Sequence, residues 1–153
     1  MINLKTIVAS TDFSENADHG LEYAAELGMK FGAKVILVHV VAYPIYPVSY
    51  EITVDVATLR GELEAASKKM IEERAAKMRA AGVDVETVVE VGTAFVEIIR
   101  TARHRQADLI VISTHGWSGM KHLLLGSTAE RVVRKAPCPV LTVRSKEREF
   151  VLP

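Results

Sequence analysis

Cysteine is almost absent from this chain. Cys138 stands alone in 153 residues, so no disulfide can close within the chain and no cysteine cluster can hold a metal. That usage fits a reducing, cytoplasmic setting. Long apolar runs are also missing. None approaches the roughly 20 residues that a membrane helix needs, which argues against a membrane partner. The opening residues, Met1-Ile2-Asn3-Leu4-Lys5, lack the charged and apolar regions of a secretory signal. No excess charge of either sign exists. Lys plus Arg is 19 and Asp plus Glu is 19, so bulk attraction to nucleic acid is not expected. A chain of this length suggests one domain over residues 1–153, able to bury roughly 68–70% of its unfolded surface.

What the chain does have is alternation. Thr6 to Ser10 (TIVAS), Val35 to Val41 (VILVHVV) and Leu109 to Ile112 are β-branched, uncharged runs. Runs of this kind suit strands buried on both faces. Val83 to Val91 carries Asp84, Glu86 and Glu90 and reads as a half-exposed strand nearer an edge. Val140 to Val143 is short, and Pro139 can only begin it or sit at an edge. Helical patterns lie between these runs. Ser14 is the expected N-cap of the first, with Ala17, Leu21, Ala24, Ala25, Gly28 and Phe31 on one face up to Gly32. In the second, between about Val56 and Ala81, Leu59, Leu63, Ala66 and Met70 repeat at four-three spacings and Gly82 stops the helix. Thr93 caps a third helix through Ile98, Ile99 and Ala102. The fourth runs from about Ser127 to Lys135 and ends at Pro137. The order β-α-β-α-β-α-β-α-β predicts an α/β fold: an open five-stranded parallel sheet with helices on both faces.

Ligands of open α/β sheets bind beyond the carboxyl ends of the strands, where the strand order reverses. Ser10-Thr11-Asp12 ends the first strand, Val40-Val41 the second, and the stretch from Ser113 to Gly116 the fourth. After that fourth strand come Gly116, Gly119 and Gly126, then Ser127-Thr128 at a helix start. A helix N-terminus offers unpaired N–H groups and a positive dipole end, and small residues ahead of it let a backbone close round a phosphate. The loop is neither a Walker motif nor Gly-x-Gly-x-x-Gly, and its glycines can equally serve the turn alone. Lys121 and His122 either add charge near a phosphate or are simply solvated. Asp12 either accepts from ribose hydroxyls or caps the following helix. His115, with no partner fixed by spacing, reads as a loop-shaping residue. His39 reads as a satisfied core histidine and Cys138 as structural. The segment 42–55, rich in Pro and Tyr, is either a surface loop packed on its own aromatics or a wall over a ligand.

Four stretches together, TIVASTDFSENA, AKVILVHVV, VGTAFVEII and ADLIVISTHGWSGMKHLLLGSTAERVVRKAPCPVLTVR, resemble the universal stress protein family over nearly the whole chain. The resemblance implies a Rossmann-like sheet of the adenine nucleotide alpha hydrolase type. It also implies a homodimer formed through the final strand, Val140 to Arg144. Nucleotide-binding members carry Gly-x2-Gly-x9-Gly-Ser/Thr. Here the matching positions read Ser113, Gly116 and Gly126-Ser127, so Ser113 departs from the pattern. A serine fits if the backbone there is extended, and costs about 1 kcal/mol or more if φ is positive. By this match Asp12 is the ribose-side acid, and Ser10, Thr11 and Val40 form the adenine wall. Ile112 and Ser113 line the adenosine, while Gly116, Gly126, Ser127 and Thr128 hold the phosphates. The implied ligand is ATP, or AMP or ADP, with Mg²⁺ on the phosphates. Three functions compete: a nucleotide-binding regulator of stress response, a dimeric interaction module that has lost the site, and an ATP-hydrolysing or adenylate-transferring enzyme. No general base or Walker lysine is placed by motif, so no enzymatic role is expected.

Overall fold

The computed structural model describes residues 2–42, 56–115 and 125–144. Five strands and four helices alternate among them: β1 (Thr6–Ser10), α1 (Glu15–Phe31), β2 (Lys34–Val41), α2 (Val56–Ala80), β3 (Val85–Val91), α3 (Ala94–His104), β4 (Leu109–Ser113), α4 (Ser127–Lys135) and β5 (Val140–Val143). All pairings are parallel and the strand order is β3-β2-β1-β4-β5. The central strands are the uncharged runs. Ile7, Val8 and Ala9 of β1 and Ile110, Val111 and Ile112 of β4 are buried because each face of the sheet is covered. The charged strand, β3, lies at one edge and the short β5 at the other.

Two cores result. Ile7, Ala9, Leu21, Leu37, Ile71, Val85 and Val111 pack on the side of α1 and α2. Val8, Ile36, Val38, Ile98, Ile110, Ile112 and Val132 pack on the side of α3 and α4. Alternate residues of each strand therefore feed opposite cores, as the pleat requires. The chain winds outward from β1 through β2 to β3. It then crosses back over β2 and β1 by α3 to reach β4. That reversal leaves β1 and β4 side by side with their following helices on opposite faces.

Local signals set most of the boundaries. Ser14 caps α1, its Oγ accepting from the Ala17 amide at 3.2 Å. Gly32 ends α1 at φ 63, and Gly82 follows α2 at φ 92. Thr93 stands at the N-cap of α3, but its side chain makes no capping bond. The expected face of α1 is buried at Ala17, Leu21, Ala24 and Gly28, half-buried at Ala25 and exposed at Phe31. The expected face of α2 is wrong. Leu63 and Met70 are 39% and 37% exposed, whereas Ser67, Ile71, Ala75 and Met78 are buried. The four-three repeat of Leu59, Leu63, Ala66 and Met70 falls largely on the first half of α2. Residues 57–66 hold no fully buried position, and only the second half packs on β2 and β3.

Candidate functional site

The carboxyl ends of β1 and β4 diverge, and a cavity of about 380 Å³ opens between them. Ser10, Thr11 and Asp12 form one wall and Val38, His39 and Val40 continue it along β2. Ile112, Ser113 and Thr114 leave β4 opposite, Ala94 and Ile98 of α3 close the floor, and Gly126, Ser127, Thr128 and Ala129 begin α4 at the far end. Nine of the ten sequence-predicted site residues thus line a single cavity. The tenth, Gly116, lies outside the described residues, as do Gly119, Lys121, His122 and most of the 42–55 segment.

The wall after β1 is a tightly bonded turn. Thr11 donates its amide to the Val38 carbonyl at 2.9 Å, extending the sheet by one residue. Its Oγ1 accepts from the Phe13 amide at 3.0 Å. Asp12 Oδ1 accepts from both the amide and the hydroxyl of Ser14, at 3.0 and 2.5 Å. Asp12 therefore does help to set the start of α1, and it also lines the cavity. A carboxylate offers about four acceptor sites, so the two duties are compatible. Between Asp12 and Ser14, Phe13 adopts φ 67. A bulky residue in the left-handed region costs about 1–2 kcal/mol, and its surroundings must hold it there.

Those surroundings are specific. The Phe13 ring stacks on His39 with centroids 4.1 Å apart. The guanidinium of Arg74 lies over the same Phe13 ring, 4.9 Å from its centre, and its Nη2 donates to the Phe13 carbonyl at 3.0 Å. Arg74 also forks onto Asp18 of α1 at 2.6 and 3.1 Å. His39 approaches the Thr11 carbonyl through Nδ1 at 2.8 Å. A carbonyl only accepts, so Nδ1 carries the hydrogen. Burial holds the imidazole pKa below its usual value, against the pull of the Thr11 carbonyl and Asp12, and Arg74 adds a small push in the same direction as burial. His39 is thus satisfied within the fold, and it also faces the cavity.

On the opposite wall, Ser113 belongs to β4 and is not among the positive-φ residues. The departure from glycine is therefore accommodated by extended backbone. Its hydroxyl donates to the His115 carbonyl at 3.0 Å, and Thr114 Oγ1 and His115 Nδ1 share a hydrogen bond at 2.9 Å. His115 is thus bonded into the strand exit through both its carbonyl and its ring. Gly126 has an ordinary φ of −67, so handedness does not explain it. Space does: a Cβ there would sit 2.8 Å from the Thr114 carbonyl oxygen. Here the expectation needs correcting. The Gly126 amide is not open to an anion, because it donates to that same carbonyl at 2.6 Å. The bond draws the start of α4 against the end of β4. The next three amides, those of Ser127, Thr128 and Ala129, are the ones a helix start leaves without intrahelical acceptors, and the N-cap, Gly126, has no side chain with which to cap them.

Strand alternation defines the remaining edge. Val41 gives its carbonyl to the Gly92 amide on the β3 side. Val38 gives its carbonyl to Thr11 on the β1 side. Val40 shares the direction of Val38, yet the pairing of β1 with β2 stops at Ser10 and Val38. The Val40 N–H and C=O therefore point past the end of β1, into the cavity. They form a donor beside an acceptor at one end of the cavity. The helix-start amides lie at the other.

Sequence reasoning did not place Val38, His39, Ala94, Ile98, Thr114 or Ala129 in the cavity lining, nor Phe13 and Arg74 beside it. Ala94 and Ile98 fall at a helical spacing of four on α3 next to the switch point, a signal that could have placed them. No signal marks Phe13 or Arg74. Cys138 is half-buried, and burial, then Asp108, pushes its thiol pKa up, which suits a structural residue. Among the described residues no cluster of His, Cys, Asp and Glu could hold a metal ion, and no helix is long and apolar enough to cross a membrane.

Residues 3–144 match the universal stress protein family. Universal stress protein MJ0531 of Methanocaldococcus jannaschii is 35% identical over 152 residues, covering 95% of this chain and 85% of that protein. The solved structure of hypothetical protein MJ0577 superposes with a TM-score of 0.84 at 30% identity, covering 95% of this chain and 99% of the other; a protein of that name comes from the same organism. A universal stress protein solved in complex with cAMP shares the fold, with a TM-score of 0.68 at 23% identity, over 93% of this chain and 98% of that one.

Proposed function

The chain belongs to the universal stress protein family, and on that premise we propose that it binds an adenine nucleotide in the cavity between β1 and β4. The ligand is ATP, or AMP or ADP, and the protein acts as a cytoplasmic, dimeric regulator or protector in stress response. One observation carries the reading: a single cavity presents a main-chain donor beside an acceptor at Val40 and, at Ser127 to Ala129, helix-start amides that have no intrahelical acceptor. The first suits the edge of a base, since adenine offers an acceptor beside an amino donor. The second suits phosphate oxygens. Asp12 lies on the wall between them and can accept from ribose hydroxyls while it holds Ser14. The cavity volume of about 380 Å³ lies within the usual range for cofactor sites.

Mg²⁺ would be carried by the phosphates and water rather than by a protein cage. We propose binding without turnover as the working role. Hydrolysis clearly above background that is lost in Asp12→Ala would overturn that part. Two occupied groups favour a second reading, a dimeric interaction module of the same fold. The Gly126 amide is spent on Thr114 and the Ser113 hydroxyl on His115. The test separates the two. The purified protein is boiled and the supernatant assayed for adenine nucleotide, and the protein is then titrated calorimetrically with ATP. Released nucleotide or saturable heat supports the nucleotide reading. No released nucleotide and no heat at millimolar ATP overturns it and leaves the interaction module.

A further inference from the structure

We propose that Arg74, on α2 and outside the cavity, is the positioning residue that clamps the Thr11–Asp12–His39 wall of the nucleotide site in its binding geometry. The inference rests on the nucleotide reading for its effect on affinity, but its structural half stands alone. Arg74 is not a lining residue. It reaches the wall through Phe13, which it holds in two ways, by a hydrogen bond to the carbonyl and by the face of its guanidinium over the ring. The same fork is anchored on Asp18. Three elements thus meet at one side chain: α2 that carries it, α1 that anchors it, and the turn after β1.

The need for a clamp is visible at Phe13. Its left-handed backbone sits directly after Asp12, and any relaxation to an ordinary φ would rotate the peptide that joins them. The Phe13 amide on Thr11 Oγ1 and the Phe13 ring on His39 would move together. His39 would then lose its register with the Thr11 carbonyl. A planar five-donor guanidinium can hold a carbonyl, a carboxylate and a ring face at once. A lysine ammonium cannot. With Arg74 in place the wall is preorganised and the nucleotide does not have to order it.

Arg74→Met and Arg74→Lys test this, with Ile71→Val as a reference. Ile71 is one helical turn away and buried, so its loss of a methyl lowers stability while leaving the Arg74 bonds to Phe13 and Asp18 in place. Each protein is titrated with ATP, and its His39 ring is read by ¹⁵N NMR without nucleotide. In the wild type the Thr11 carbonyl holds the Nδ1–H tautomer, while a released neutral imidazole prefers Nε2–H. We expect ATP affinity about tenfold weaker in both Arg74 variants and unchanged in Ile71→Val. We expect the tautomer balance to move toward Nε2–H in the Arg74 variants alone. Arg74 variants that melt earlier yet keep both wild-type affinity and the Nδ1–H tautomer would reduce Arg74 to a structural ion pair. A wild type that binds no ATP overturns the nucleotide reading instead. The tautomer arm then decides the clamp by itself, and an unmoved tautomer refutes it.

Discussion

At Gly126 one methyl group is the difference between an open helix start and a collision. Its built Cβ would lie 2.8 Å from a backbone oxygen, and backbone does not yield as a flexible side chain does. Gly126→Val should break the Gly126–Thr114 bond, push the start of α4 away from β4 and cost about 1–3 kcal/mol of stability. Circular dichroism should show a folded protein with a lower melting temperature, and calorimetry should show no heat with millimolar ATP. Unchanged affinity would mean that the start of α4 does not hold the ligand. His39 gives a second residue-scale outcome, this time in pH. Burial lowers its folded pKa below the ordinary 6.5, so the fold prefers the neutral ring. Its contribution is whole above pH 6.5 and is lost as pH falls from there through the folded value. The wild type should therefore lose melting temperature between pH 7.5 and pH 5 by more than His39→Gln does, although the variant starts lower for want of the Phe13 stack. Parallel melting curves in the two proteins would remove the histidine from the pH response.

At the scale of elements, β1 and β4 are joined at both ends. Their carboxyl ends frame the cavity. Their starts are tied by Asp108, whose Oδ2 accepts from the Lys5 amide at 2.7 Å and the Thr6 amide at 2.9 Å. These bonds hold the carboxyl pKa below its usual value, so their stabilisation is present near neutrality and fades as acid protonates the group. Asp108→Ala should cost about 1–2 kcal/mol at pH 7 in urea unfolding, and the difference from wild type should shrink at pH 3. A constant difference across that range would rule out the carboxylate as the acceptor that matters. Elements of this kind were readable in the chain where composition and packing agree. The uncharged β-branched runs became the central strands, and Glu86 and Glu90 marked β3 as an edge. Glycines at 32 and 82 stopped helices where a left-handed residue was needed. The face of α2 was misread because a helical stripe shows which residues could pack together, not where a partner surface ends. Half of that helix runs beyond the sheet face that buries its second half. The cavity was legible because topology alone gathers strand ends at the switch point. Its clamp was not, because Arg74 meets Phe13 across 61 residues of chain, and nothing local to Phe13 announces a left-handed backbone. The direction of the Gly126 amide was equally hidden, since it depends on a close approach to Thr114 that no spacing encodes.

The molecule as a whole has two sheet edges, and they differ in chemistry. The β3 edge is dressed with charge: Glu86 pairs with Lys34 and Arg105, and Glu90 pairs with Arg100. Charges of this sort discourage strand addition. The β5 edge, Val-Leu-Thr-Val, has none. Its alternation can be followed from β4. The Pro139 carbonyl accepts from the Ile110 amide and the Val143 carbonyl from the Thr114 amide, so residues 139, 141 and 143 face inward. Val140 and Thr142 then turn their N–H and C=O groups outward, where a second copy could pair with them. Thr142→Pro removes one outward donor and takes no hydrogen bond from the β4–β5 ladder. Proline is tolerated at such a position, so the monomer fold should survive. If the proposed homodimer forms through this strand, light scattering coupled to size exclusion should give a dimer for the wild type and a monomer for Thr142→Pro. The two should show the same circular dichroism spectrum. A variant that remains dimeric would place the interface away from β5. A monomeric wild type would mean that the bare edge is left unpaired and that the nucleotide cavity works within one chain.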